Sequence, residues 1–199
     1  LFRPVTKDFT VFDSESSGLP SGIIFSIMRT SDNRILASPD TRGLWSMDLD
    51  ELAGGDKRFH QVVMPEKMSD IGIRSMAEDR YGNIYLGSAG KGLYYKSLNH
   101  TGIFTVRHPE DFKEKLVRGL AFSDGGLLMS GTDGGGLCLL DSKTEFVKRE
   151  VAGIPDKNII SMFKDESGLY WVGTFNNGAV VVDSTLRNCL NFSRIICYT

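Results

Sequence analysis

A glycine-rich phrase occurs four times in this chain of 199 residues, and it constrains the fold more than any other feature. The copies cover 30–43, 79–92, 123–136 and 165–178, and each ends on a glycine. Those final glycines stand at positions 43, 92, 136 and 178, so the repeat length is 49, 44 and 42 residues. A repeat of this length built from short strands is typical of a β-propeller blade. The chain is therefore predicted to be all-β, with four four-stranded blades.

The copies align without a gap over the 24 residues before each final glycine. Ten positions before it, a tight turn needs a left-handed backbone, which Gly and Asn adopt easily; the residues there are Asn33, Gly82, Gly126 and Gly168. Asp79 and Asp165 open that turn, where a carboxylate can accept main-chain donors two residues on. The apolar segment before the turn predicts an innermost strand buried on both faces. Three further strands follow, the last more polar, as suits an exposed edge.

These boundaries predict a single propeller fragment over residues 1–199. The four blades are expected at about 19–63, 68–108, 112–151 and 154–198. An additional outer strand is predicted at 9–12, before the first repeat. That strand exceeds what a closed four-bladed ring needs, so we expect an arc of a larger ring. No helix of useful length is predicted.

Composition excludes several classes of protein. A net charge of −2 provides no field that would attract nucleic acid. No apolar run approaches the roughly 18 residues that span a bilayer, so direct membrane insertion is not expected. The three cysteines have no metal-ligand spacing, and neither a metal nor a cofactor is predicted. Because the chain begins at Leu1 without a signal peptide, we expect an excised or processed piece.

The repeat is similar to a known family. Leu-Pro at 19–20 and Ile-Pro at 154–155, then a strand, an Asp-x-x-Gly turn, an aromatic-aliphatic-Gly-Thr/Ser step and a glycine-led strand resemble the two-component regulator propeller repeat. The resemblance covers residues 9–192, and it is weakest in the first copy, where 39–42 replaces the glycine-rich step.

This resemblance implies the periplasmic sensor region of a hybrid two-component system histidine kinase of the Bacteroides type. It implies a seven-bladed ring, a signal derived from glycan breakdown, and the remaining blades and the kinase of the same protein as partners. The whole protein would then be a kinase, whereas this part of it would not be an enzyme.

Ligand contacts are expected where a propeller gathers its loops around the central channel. One group of loops leads into each inner strand, and a second group joins the second and third strands. The candidates for hydrogen bonding to a polar ligand are Arg42, Lys91, Asp133, Asn176 and Asn177, with Phe175 as a stacking surface and with Arg74 and Arg118 in one column of the inner strands. Such a mixture suits a sugar or a sugar acid. Taken singly, each of these residues is also an ordinary turn former or a solvated charge.

Three functions remain open at this point. The first is a non-catalytic sensor that recognises or relays a glycan-derived signal. The second is a protein-binding scaffold, and the third is a propeller lyase or glycosidase, for which no catalytic constellation is evident. Because inter-blade aromatic residues would be exposed at both ends of an arc, we also expect self-association.

Overall fold

The computed structural model describes residues 2–3, 8–20, 22–40, 43–64, 71–97, 103–105, 116–141, 147–185 and 189–192. They form eighteen strands and one short helix. Contacts divide the chain into two compact units, Leu1–Gly72 and Ile73–Thr199. Four of the sheets are antiparallel and four-stranded, and each is called a blade below.

The first unit contains a small hairpin and blade 1. In the hairpin, β1 (Phe2–Arg3) pairs with β2 (Asp8–Phe9). Blade 1 consists of β3 (Ile24–Arg29), β4 (Arg34–Pro39), β5 (Trp45–Asp48) and β6 (His60–Gln61). The additional outer strand predicted at 9–12 is therefore wrong, because only its first residue is in a strand and that strand pairs with β1. Residues 10–12 have no strand structure, and Phe12 packs against Phe59 with ring centroids 6.1 Å apart.

A short helix, α1 (Leu49–Ala53), follows β5, where no helix is predicted from the sequence. The Asp48 side chain caps it by accepting hydrogen bonds from the backbone N–H groups of Asp50 and Glu51. Asp50 and Glu51, in its first turn, interact favourably with the positive end of the helix dipole. Capping and the packing of Leu49 and Leu52 against the apolar core of the first unit together support this one turn of helix.

The second unit contains the other three blades. Blade 2 consists of β7 (Ile73–Glu78), β8 (Ile84–Ser88), β9 (Leu93–Lys96) and β10 (Ile103–Thr105). Blade 3 consists of β11 (Val117–Phe122), β12 (Leu127–Thr132), β13 (Gly136–Asp141) and β14 (Val147–Glu150). Blade 4 consists of β15 (Ile159–Lys164), β16 (Tyr170–Thr174), β17 (Ala179–Val182) and β18 (Cys189–Phe192). Every pairing within a blade joins strands that are consecutive in sequence.

The turn between the first two strands of each blade has the predicted geometry. Its glycines at 82, 126 and 168 and its asparagine at 33 have φ values of 80°, 79°, 83° and 65°. Asp79 accepts hydrogen bonds from the backbone N–H groups of Tyr81 and Asn83, both at 2.9 Å. Asp165 does the same with Ser167 and Leu169, at 2.9 and 3.0 Å. These aspartates stabilise turns, as the sequence predicts.

The inner strands differ from the prediction. A strand buried on both faces is expected, yet β3 alternates between half-buried and exposed residues and β15 also has exposed positions. Ile27 is 67% exposed and Phe163 is 65% exposed. The apolar sequence alone does not show whether both faces of a strand are covered.

Within the second unit, apolar residues are buried between neighbouring blades. Tyr85 and Leu93 of blade 2 pack with Val117 and Leu128 of blade 3. Met129 and Leu139 of blade 3 pack in the same way with blade 4, whose contribution includes Ile159, Tyr170 and Val172. Burial of these side chains joins blade 2 to blade 3 and blade 3 to blade 4.

Candidate functional site

Backbone contacts join the loops at one end of blades 2, 3 and 4. In the loop after β8, Ala89 forms an isolated β-bridge with Leu116, which leads into β11. The N–H of Asp133 donates to the carbonyl oxygen of Leu116 at 3.0 Å. The N–H of Gly136 donates to Lys157, and that of Phe175 to Asn158, at 2.8 and 2.9 Å. Residues 89–91, 116–118, 133–135, 156–158 and 175–177 are called the loop face below.

A β-bulge recurs in the inner strand of every blade. The pairing register of the first two strands shifts between residues 24 and 26, 73 and 75, 117 and 119, and 159 and 161. The additional residue at each bulge is Phe25, Arg74, Arg118 or Ile160. Bulges redirect side chains and are frequent beside functional sites. Two arginines therefore occupy the redirected position in neighbouring blades of the second unit.

Arg118 forms an incomplete ion pair at the loop face. Its Nη2 lies 3.8 Å from Oδ2 of Asp133, which is too long for a hydrogen bond. About a third of the Arg118 side chain is exposed, and 45% of the Asp133 side chain. Among the residues that the structure describes, none accepts a hydrogen bond from the buried Nε of Arg118. Buried polar groups are nearly always hydrogen-bonded, so this nitrogen calls for an explanation.

Asp156 organises the part of the loop face that belongs to blade 4. It is 9% exposed and accepts hydrogen bonds from the backbone N–H groups of Asn158 and Asn176, at 2.9 and 2.8 Å. These two N–H groups lower the pKa of Asp156 below its usual value. Its carboxylate therefore holds two loops together.

The predicted ligand-contact residues differ in their exposure and in their hydrogen-bond partners. Phe175 is 71% exposed, and Lys91 and Asn176 are exposed as well. The side chain of Asn177 donates to the carbonyl oxygen of Pro155 at 3.4 Å. Arg74 is half-buried. Arg42 lies outside the described residues.

Two features of the site were not predicted. The first is the role of Asp156, whose position two residues before Asn158 is the only local signal for a hydrogen-bonded turn. The second is a hydrogen bond that the Ser75 hydroxyl donates to the carbonyl oxygen of Val117 at 3.0 Å, which joins the inner strands of blades 2 and 3. A contact between residues 42 positions apart has no signature in the spacing of one sequence.

A cavity of about 510 Å³ lies at the opposite end of the strands, where the turns gather. Its lining includes Asp79, Tyr81, Asp124 and Lys164. Asp79 is occupied by its own turn, and Asp124 accepts a hydrogen bond from Lys164, which raises the pKa of that amine. These carboxylates are thus engaged in structural contacts.

Metal-binding side chains do not cluster in the described part of the chain. Over those ranges, no group of three or more His, Cys, Asp or Glu residues is placed to hold a metal ion. Among the same residues, no helix has the length and hydropathy needed to cross a membrane. The loop face offers charged, amide and aromatic groups that suit binding.

Comparison with known families and structures identifies the repeat. The family model described as two component regulator propeller matches residues 153–176, within blade 4. The predicted resemblance is confirmed for this repeat. No curated protein sequence matched the chain significantly.

Solved structures share the fold. Two structures of the extracellular domain of BT4673 from B. thetaiotaomicron give TM-scores of 0.71 and 0.70 at 23% and 24% identity. The first describes that protein as a one component system and the second as a hybrid two component system. Virginiamycin B lyase from Staphylococcus aureus gives 0.62 at 9% identity, over 87% of this chain and 56% of the lyase. The WD40 beta propeller domain of Doa1 gives 0.61 at 14% identity, over 79% of this chain and 50% of that one. The predicted all-β propeller fold is confirmed.

The alignments with BT4673 cover 90% of this chain and 24% of the longer chain. This chain thus spans about a quarter of the length of those structures. The prediction of a single unit over residues 1–199, with its blade limits, stays a prediction.

Proposed function

We propose that this chain is a non-catalytic, extracytoplasmic sensor module of a hybrid two-component system. Its blades bind a glycan-derived ligand, or relay the binding of one, to a transmembrane histidine kinase of the same protein. In a bacterium with two membranes, this module lies in the periplasm.

One observation carries the proposal. The residues at 153–176 match the two component regulator propeller family, and 90% of the chain shares its fold with the extracellular domain of a protein described as a hybrid two component system. The identity of 24% supports the shared fold alone, so the sensor role is inferred from the two findings together.

The chemistry of the loop face supports a polar ligand. Lys91, Arg118 and Asp133 offer charged groups, and the exposed ring of Phe175 offers an apolar surface. The hydroxyl groups of a sugar ring can hydrogen-bond to these charged groups, and its apolar C–H face can stack on the Phe175 ring. Such a combination of an apolar surface with a few placed polar groups is typical of small-molecule sites.

We further propose that another four-stranded blade of the same protein packs on blade 4. Phe163, Trp171 and Leu190 are exposed there, at 65%, 40% and 66%. Tyr85 and Met129, the counterparts of Trp171 in blades 2 and 3, pack toward the following blade. An exposed apolar surface of this kind is unusual for a surface in contact with water.

A thermal melt of the chain against a panel of oligosaccharides tests the sensor proposal. A ligand that binds the native state at a hundredfold excess over its Kd stabilises it by about 2.7 kcal/mol. For a chain of this size, that corresponds to a rise in Tm of roughly 5–10 °C. We expect one class of glycan to raise the midpoint, with the glycan itself left unchanged.

Two matched variants locate the effect. Phe175→Ala removes the exposed ring from the loop face, whereas Phe163→Ala removes a similarly exposed ring from blade 4. The first should reduce the glycan-dependent shift, and the second should leave it intact. If no glycan changes the Tm and a pull-down recovers a protein partner instead, the scaffold alternative is favoured. Cleavage of a glycan would favour the lyase or glycosidase alternative.

A further inference from the structure

The inner strands of blades 2 and 3 bring two arginines to corresponding positions. Ser75 of β7 donates its hydroxyl to the carbonyl oxygen of Val117 in β11 at 3.0 Å. Arg74 precedes Ser75 and Arg118 follows Val117, so the two arginines flank this hydrogen bond between strands. Each arginine is also the additional residue of its bulge.

The surroundings of Arg118 leave part of its guanidinium unsatisfied. Within the described ranges, the buried Nε has no acceptor, and Asp133 stands 3.8 Å from Nη2. Arginine presents its N–H groups as a planar fork that matches the two oxygens of a carboxylate or a sulfate. About a third of the Arg118 side chain is exposed, so the accessible part of the fork can donate to an external acceptor.

The charges nearby also favour an anion. The exposed Lys91 belongs to the loop after β8, which is bridged to Leu116, two residues before Arg118. On the other side, Lys157 of the loop face is paired with Glu150 at 3.6 Å, and the Asp156 carboxylate is bound by two backbone N–H groups. Asp133 is therefore the one carboxylate that the described contacts show competing for Arg118.

We propose that the loop face between blades 2 and 3 holds a subsite for an anionic group on a sugar ring, with Arg118 as its main contact and Arg74 and Lys91 beside it. The anion is a carboxylate, as in a uronic acid, or a sulfate ester. This inference rests on the proposed function, because it names the chemical class of the glycan that the sensor recognises.

Calorimetric titration of the full chain with three matched probes tests the subsite. The probes are a disaccharide that ends in glucuronic acid, the same disaccharide ending in glucose, and a sulfated form of the latter. We expect at least one acidic probe to bind roughly tenfold or more tightly than the neutral one, since a hydrogen bond to a charged group is worth about that much. The acidic probe that binds more tightly shows whether the subsite prefers a carboxylate or a sulfate.

Variants then assign the preference to the arginines. Arg118→Gln should remove most of the advantage of the acidic probe, and Arg74→Gln should reduce it independently. Arg118→Lys should restore part of it, since lysine keeps the charge and loses the fork. Asp133→Asn should tighten acidic binding severalfold, roughly as expected when a partly exposed competing charge is removed. Arg80→Gln, at the exposed turn beside Tyr81, is the control and should change nothing.

The outcomes separate the two proposals. Equal affinity for acidic and neutral probes, unchanged in Arg118→Gln, overturns the anionic subsite and leaves glycan sensing intact. Preference for the acidic probe that persists in both arginine variants also overturns it. Absence of binding by all three probes, together with silent melts against the panel, overturns both.

Discussion

The three blades of the second unit share one strand register but differ in what covers their forward faces. The forward face is defined here by the cross-strand rows Ala77, Tyr85, Tyr95 and Phe104 in blade 2, Ala121, Met129, Leu139 and Arg149 in blade 3, and Phe163, Trp171, Val181 and Leu190 in blade 4. Tyr85 and Met129 are 6% and 0% exposed, because each packs toward the following blade. Trp171, at the equivalent position, is 40% exposed.

All four residues of the blade 4 row are apolar, and two of them, Phe163 and Trp171, are larger than their counterparts in the covered rows. Phe163 stands where the other two blades have alanine. Trp171 is held by a hydrogen bond from its Nε1 to Asp165 at 2.8 Å, so its ring is fixed in place. The same row thus occurs in three blades, but in blade 4 Phe163, Trp171 and Leu190 are exposed and only Val181 is buried. The forward face of blade 4 has the composition of an interface.

The largest expected difference is in the free energy of unfolding, when a leucine is truncated on the covered face and on the open face. Leu139 is 1% exposed and Leu190 is 66% exposed, although both belong to forward rows. Leu139→Ala should lower the free energy of unfolding by about 2–5 kcal/mol, because it leaves a cavity. Leu190→Ala should change it by about 0.5 kcal/mol or less. Urea denaturation measures both, and equal losses would contradict the difference between the faces.

Glycine-to-alanine substitutions should also affect the covered face and the open face differently. A Cβ on Gly131 would lie 2.4 Å from Cγ2 and 2.9 Å from Cβ of Ile159 in blade 4, whereas one on Gly173 would meet chiefly the Ser161 hydroxyl at 2.6 Å. The hydroxyl can rotate away, but the packed isoleucine cannot. We therefore expect Gly131→Ala to destabilise by about 1–3 kcal/mol and Gly173→Ala by less than about 1 kcal/mol. Thermal unfolding checks the order, and a reversed order would show that the forward face of blade 4 is the more crowded one.

Association of the isolated chain should depend on the open face. Leu190→Lys places a charge within an exposed apolar row, so it should reduce self-association while leaving the thermal midpoint within a few degrees of its starting value. Light scattering at increasing protein concentration measures the effect. Gln61→Lys, an exposed substitution in blade 1, is the control. A wild-type chain that stays monomeric throughout would contradict the expected self-association.

The smallest expected effect is on the stability of the chain at low pH. The hydrogen bond from Trp171, followed by that from Ser167, lowers the pKa of Asp165 from 3.8 to about 2. A lowered pKa in the folded state means that the stabilisation is complete above pH 3.8 and is lost as the pH falls toward 2. Asp165→Asn should therefore be less sensitive to acid than the parent within that window. Chemical denaturation at several pH values tests this, and parallel pH profiles would exclude the contribution.

The sequence predicted those parts of the fold that local backbone geometry determines. Asn33 and Gly82 stand where a left-handed residue is required, and steric restriction leaves few alternatives there. The strand predicted at 9–12 failed because four residues of strand-like composition do not specify a pairing partner. The α1 helix was missed because one capped turn has no periodic signal.

The candidate site was only partly accessible from the sequence. Arg74 and Arg118 could be assigned to one column, but the bulge that redirects them depends on pairing across the sheet. The Arg118–Asp133 distance and the loop contacts of Asp156 likewise depend on tertiary packing. Residue type therefore suggested the chemistry of the site, and its arrangement required the structure.

Amide hydrogen exchange of the full chain, with and without the glycan panel, tests whether the loop face binds a glycan. Because a bound ligand reduces local opening, we expect added protection at 89–91, 116–118, 133–135 and 175–177, with little change in the turns at 79–82 and 165–168. Protection confined to those turns, or none with any glycan, would contradict this expectation.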